Sequence, residues 1–138
     1  MTVKLVRQLL VDAGFEIFRA RGDEISLAER PRENLIMDSG VRLGLGPRWE
    51  VRLVLRAQKT DFPAEEESSL FARVRTLGLT ALANGYREVD ARVSIIDDPG
   101  GSDRTLDTLY EIIYAKEVAG IEEAVPELRK ALATEKRG

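Results

Sequence analysis

The sequence contains no cysteine and no histidine among its 138 residues. Without cysteine the chain can form no disulfide, no thiolate nucleophile and no cysteine-ligated zinc or iron–sulfur cluster. Without histidine it lacks the commonest general base and the commonest transition-metal ligand at neutral pH. Any catalysis would have to depend on carboxylates, lysine, tyrosine or serine. We therefore expect a non-enzymatic protein without a cofactor or a metal site.

Long apolar runs and an excess of positive charge are also missing. No apolar run approaches the ~20 residues of a membrane-spanning helix, and no signal-peptide core is recognisable. Lysine and arginine number 21 against 24 aspartates and glutamates, so the formal net charge is −3. Nucleic-acid binding requires a basic surface that neutralises phosphates. We expect a cytoplasmic protein that binds neither nucleic acid nor membrane.

The composition that remains is that of an ordinary globular protein. Hydrophobic residues make up 43% of the chain and charged residues 33%, which is enough apolar surface to build a core. At this length the sequence predicts a single domain over residues 1–138.

Residues 61–96 form the unit around which the predicted fold is organised. Asp61 is a candidate N-cap, and apolar residues then recur at helical spacing until Asn84-Gly85, a typical helix stop. The apolar period next changes to two between Val89 and Ile95. This pattern predicts a long helix followed by a strand with one buried face and one wet face.

The rest of the chain predicts further short elements on both sides of this unit. The fold class is therefore α+β, with an N-terminal helix, an antiparallel sheet of about five to seven strands, a long central helix packed on the sheet and a C-terminal helix. The other predicted helices cover 2–13 and a segment from Ile121, where Pro126 causes a kink or a delayed start. The other predicted strands cover 15–20, 24–28, 49–57 and 106–118, with a connector at 30–32 and a hairpin that turns at 38–40. Residues 135–138 are predicted to fray.

Two groups of side chains are candidate partner-binding residues. Arg52 and Arg56 lie on one face of the strand over 49–57, where they could pair with Glu88 and Asp90 of a neighbouring strand or recognise an acidic partner. Tyr110, Ile112 and Tyr114 share one face of the last strand, which is apolar on both faces. Such a strand is either central in its sheet or covered by a partner subunit.

Two other segments resemble ligand sites but are better explained as turns. Gly44 and Gly46 could permit close approach of a ligand, yet no helix follows them and a dinucleotide fingerprint is absent, so a turn or bulge is expected. The polar cluster over 97–103 lacks the calcium-loop spacing and the closing glutamate. We expect it to be a hairpin connection.

The order of predicted elements resembles the type III secretion chaperone-like fold, which includes the YbjN-type bacterial proteins. The resemblance spans nearly the whole chain and rests on that order, on the opening 9–15 and on the helix-to-strand junction 82–86. Members are small acidic α+β proteins that often dimerise and bind extended polypeptide segments or partner proteins, and they are not enzymes. The glycine-rich stretch over 40–47 departs from their pattern.

The resemblance implies a bacterial, chaperone- or adaptor-like protein-interaction module that forms a homodimer and binds a partner protein. A second hypothesis is a small-ligand-binding regulatory domain in which Arg52 and Arg56 hold an anion. A carboxylate-based enzyme around residues 97–107 is the third.

Overall fold

The computed structural model describes residues 1–101 and 105–138. The fold is α+β, as the sequence predicts, and its six-stranded antiparallel sheet has the order β1-β2-β3-β4-β6-β5. Its elements are α1 Val3–Asp12, β1 Ile17–Arg21, β2 Glu24–Arg32, β3 Leu35–Gly44, β4 Trp49–Gln58, a short 3-10 helix Lys59–Asp61, α2 Glu67–Ala83, β5 Arg87–Asp97, β6 Thr105–Val118 and α3 Ile121–Ala133. No helix in the described ranges is long and apolar enough to cross a membrane.

The chain divides into two compact units. The first comprises Met1–Leu53 and Ala115–Thr134, and the second comprises Val54–Tyr114 and Glu135–Gly138. The second unit therefore contains a short segment from the far end of the chain, which the sequence pattern does not predict.

In the first unit, helices α1 and α3 pack on the strands β1 to β3. The Thr2 hydroxyl caps α1 by accepting a hydrogen bond from the Leu5 amide at 3.2 Å, and Gly14 ends the helix with φ of 99°. Helix α3 starts at Ile121 with Pro126 inside it. The delayed start expected from this proline does not occur.

The predicted hairpin at residues 38–40 is wrong, because these residues lie inside the single strand β3. Pairing between β2 and β3 shifts register between Ser26 and Ala28, opposite this segment. Gly40 takes φ of 78°, and the Ser39 hydroxyl donates to the Leu27 carbonyl at 2.7 Å. The left-handed glycine therefore forms a bulge and not a chain reversal. The turn between β2 and β3 lies after Arg32, so the predicted connector at 30–32 belongs to β2.

In the second unit, α2 covers one face of β6. Phe71 meets Tyr110 edge-to-face at 5.4 Å between ring centroids, and a Cβ added to Gly78 would overlap the Tyr114 hydroxyl. Glu66 is the N-cap of α2. Asp61 instead ends the 3-10 helix, so the predicted cap is wrong although the predicted stop is confirmed by Gly85 with φ of 90°.

Candidate interaction surfaces

Arg52, in the first unit, is held by carboxylates of its own chain. Its guanidinium lies 2.5 Å from Glu24 and 3.3 Å from Glu50. Burial lowers the pKa of Arg52, but the hydrogen bonds that its guanidinium donates to Glu24 and Glu50 and the attraction of their charges outweigh this, so the pKa is raised overall. Arg42 joins the same group through Glu24 and Asp38. The charge predicted to hold an anion is thus already compensated.

Gly44 explains why the Arg52 side chain can take this position. A Cβ at Gly44 would lie only 2.7 Å from the Arg52 guanidinium carbon. The glycine lies within β3 and pairs with Glu24 and Glu50 on its two neighbouring strands. The close approach inferred from this glycine is therefore made by a side chain of the protein itself. Gly44 lies within β3, whereas Gly46 lies in the bend that connects β3 to β4, as the sequence predicts.

Arg56, in the second unit, faces a buried carboxylate of β6. The Glu111 side chain is only 5% exposed and lies 3.5 Å from Arg56 and 3.2 Å from Arg92. It also accepts a hydrogen bond from the Ser94 hydroxyl at 2.7 Å. Because β4 lies beside β6 and not beside β5, the predicted pairing of the arginines with Glu88 and Asp90 is wrong. Glu88 pairs instead with Arg75 at 3.2 Å.

The three candidate residues of β6 lie on the face that α2 covers. Ile112 and Tyr114 are buried, and Tyr110 packs on Phe71. A strand that is apolar on both faces is expected either at the centre of its sheet or under a partner subunit. Strand β6 is central, because it lies between β4 and β5. Ile112 and Tyr114 are thus buried within their own chain, and their contact with a partner stays a prediction.

The polar cluster after β5 contains no described metal site. Ser102 and Asp103 lie outside the described residues. The Asp98 side chain accepts a hydrogen bond from the Gly100 amide at 2.8 Å, as in a turn. Asp107 accepts from the Thr60 amide at 3.2 Å and from its hydroxyl at 3.1 Å. No group of three or more acidic residues in the described part of the chain is arranged to hold a metal ion.

Strand β5 is exposed on both faces, although the sequence pattern predicts that one face is buried. The sequence predicts a buried apolar face, but no residue of β5 is buried. Val89, Val93 and Ile95 are 46%, 43% and 61% exposed. As the last strand of the sheet, β5 also has one edge without a partner strand. An uncovered apolar edge strand is a template for pairing with another chain.

The exposed apolar surface of this unit continues on α2. Leu79 and Leu82 of that helix are exposed, as is Leu106 at the start of β6. Singly exposed apolar residues are common. The alternating run of exposed apolar residues along the outermost strand is the feature that marks β5 as an interaction surface.

A second place where an extended segment can pair is already filled. The sequence predicts that residues 135–138 fray, but the Arg56 amide donates to the Lys136 carbonyl at 2.9 Å and the Gly138 amide donates to the Arg56 carbonyl at 3.0 Å. Arg56 and Arg137 thereby form a parallel bridge. No periodicity in the sequence marks so short a pairing.

Comparison of the chain with protein-family models, with characterised proteins and with solved structures finds no match.

Proposed function

We propose that this chain is a non-enzymatic protein-interaction module, chaperone- or adaptor-like, that acts as a homodimer and binds a partner protein. The observation that carries the proposal is the uncovered edge strand β5 with its exposed valines and isoleucines. Strand addition at a sheet edge supplies affinity through backbone hydrogen bonds and specificity through side chains. The resemblance to type III secretion chaperone-like and YbjN-type proteins supports the same function by analogy only.

A second copy of β5 is the occupant that fits this edge best. If two β5 strands pair antiparallel about Ala91, Asp90 of each copy lies opposite Arg92 of the other, and Val89 lies opposite Val93. Cross-strand pairs of opposite charge and of β-branched residues are favourable. A two-residue shift places either Arg92 opposite Arg92 or Asp90 opposite Asp90. The sequence of β5 is thus complementary to itself in one register, as a twofold interface requires.

The isolated chain protects this edge locally. The Asp90 side chain accepts a hydrogen bond from the Ala91 amide at 2.9 Å, and Arg92 is held by Glu111. Both contacts are at least partly exposed to solvent. In the proposed dimer Asp90 and Arg92 exchange them for each other across the interface.

Light scattering on a Val89→Asp variant tests the proposal. We expect the unmodified protein to be a dimer and the variant to be a monomer with unchanged circular dichroism, because in the proposed register the new carboxylate lies opposite Val93 of the other copy and is desolvated on pairing. The matched control is Leu5→Asp, which places the same charge on an exposed leucine of α1 and should remain dimeric. A monomeric unmodified protein, or a dimer that tolerates Val89→Asp, contradicts the proposed interface.

A further inference from the structure

The distal half of β4 has an edge that the sheet does not cover. Pairing between β3 and β4 ends at Val41 and Leu53, whereas β4 continues to Gln58. On its other side β4 adjoins β6. The amide and carbonyl of Arg56 are therefore available to an additional strand, and the segment Glu135–Gly138 uses them.

This segment lies in a groove between β4 and α2. A Cβ placed on Gly138 would lie 3.7 Å from the Arg73 Cβ and 3.8 Å from both the Ala57 Cβ and the Leu77 Cδ1. These are ordinary van der Waals separations. The groove therefore has room for a small side chain where the segment carries none.

The backbone of the segment Glu135–Gly138 makes two hydrogen bonds to Arg56. Gly138 has no side chain, so it lacks the apolar contact that a methyl group would make with Ala57 and Leu77. A strand with the same backbone pairing and a small aliphatic side chain would bind better in the same place.

We infer that this groove is a docking site for an extended segment of a partner protein, which pairs in parallel with β4 at Arg56 and places an alanine side chain against Ala57 and Leu77. The segment Glu135–Gly138 occupies the groove until the partner displaces it. The inference rests on the proposed partner-binding function, but the groove does not include the β5 edge. Because the segment is part of the same chain, its effective concentration is in the millimolar range and it competes with any partner.

Two full-length variants change the occupancy of the groove in opposite directions. Gly138→Pro removes the amide that donates to Arg56 and so opens the groove. The double variant Ala57→Cys, Gly138→Cys closes it, because a separation of 3.8 Å matches the Cβ spacing of a disulfide. The chain has no other cysteine, so this bond has no competitor.

The probe is a capped, fluorescently labelled peptide with the sequence of residues 133–138 and alanine in place of the glycine. Measured by fluorescence anisotropy, the peptide should bind most tightly to Gly138→Pro, less tightly to the unmodified chain and most weakly to the oxidised double variant. The affinities of the first and the last should differ by at least about tenfold. Reduction of the disulfide should return binding to the level of the unmodified chain. The single variant Ala57→Cys controls for the altered groove wall.

Equal affinity of the oxidised and reduced double variant overturns the inference, as does absence of binding to Gly138→Pro when its circular dichroism is native. These results do not affect the dimer, which light scattering measures separately. A monomer that binds the peptide in the expected order would contradict only the β5 interface.

Discussion

Strands β5 and β6 are the two arms of one hairpin, and their surroundings differ sharply. Both carry apolar residues along much of their length, yet β6 contains buried Ile112 and Tyr114 while β5 has no buried residue. The difference follows from the strand order, because β6 has β4 and β5 on its two sides and β5 is outermost. An apolar strand sequence therefore does not by itself indicate burial within its own chain.

The contacts that join the two strands differ from those that bury β6. Helix α2 covers β6 through the aromatic contact of Phe71 with Tyr110 and the close approach of Gly78 to Tyr114. Side chains of β5 reach β6 through polar contacts of Arg92 and Ser94 with Glu111. We therefore expect substitutions in the hairpin to separate into strongly and weakly destabilising sets according to strand and contact type.

The largest expected difference is between two isoleucines of the hairpin. Ile112→Ala should lower the free energy of unfolding by about 2–5 kcal/mol, because it removes a fully buried side chain and leaves a cavity. Ile95→Ala should change it by no more than ~0.5 kcal/mol, since that side chain is 61% exposed. Urea denaturation should be measured at a protein concentration where light scattering reports monomers. Similar losses for the two variants would contradict the burial of β6 or the exposure of β5.

A smaller effect is expected where α2 meets β6. Gly78→Ala should destabilise by about 1–3 kcal/mol through overlap with the Tyr114 hydroxyl, although alanine is intrinsically the better helix residue by ~1 kcal/mol.

The control is Thr80→Ala, an exposed position of the same helix, which should be neutral or slightly stabilising because it shows the propensity gain without the overlap. Thermal denaturation compares the two. If Gly78→Ala raises the melting temperature as Thr80→Ala does, the packing of α2 on Tyr114 is incorrect.

A further effect, similar in size to that of Gly78→Ala, concerns the polar contacts between the strands. Glu111→Gln should lower the free energy of unfolding by about 1–3 kcal/mol, because Arg56 and Arg92 lose the nearly buried carboxylate that they share. The loss should be at the low end of this range if the glutamine amide still accepts the hydrogen bond from Ser94. Glu88→Gln, which breaks the exposed pair with Arg75, should cost less than about 1 kcal/mol.

Amide hydrogen exchange adds a local measurement to this comparison. In Glu111→Gln the amides of β5 should exchange faster than those of β6, since side-chain contacts to β5 are weakened while the cover of β6 by α2 is intact. Uniform acceleration across both strands would mean that Glu111 stabilises the whole unit and not the attachment of β5.

The fold class and the local signals of the chain are predictable from sequence. The Thr2 cap, the glycine after α1, the stop at residues 84–85 and the strands on both sides of α2 follow from short-range chemistry that acts within a few residues. The sequence around Gly40 predicts a turn where the structure has a bulge, because a left-handed glycine occurs in both and only the pairing partner distinguishes them.

The candidate sites were less predictable. The arginines of β4 lie on a strand, as the sequence predicts. Their partners Glu24 and Glu111 come from other strands whose adjacency the sequence does not reveal, whereas Glu50 lies on β4 itself. The segment Glu135–Gly138 is polar and short, so nothing in its composition indicates that it pairs with Arg56.

The sequence by itself determined which side-chain chemistry this protein lacks, where α1 begins, where α1 and α2 end, and which residues alternate along its strands, because these properties depend on side-chain type and on neighbours in the chain. The tertiary structure alone decided which apolar strand is covered, which carboxylate meets which arginine, and what fills the free edge of β4. Those outcomes depend on strand order and on contacts between residues distant in sequence, for which local periodicity carries no information.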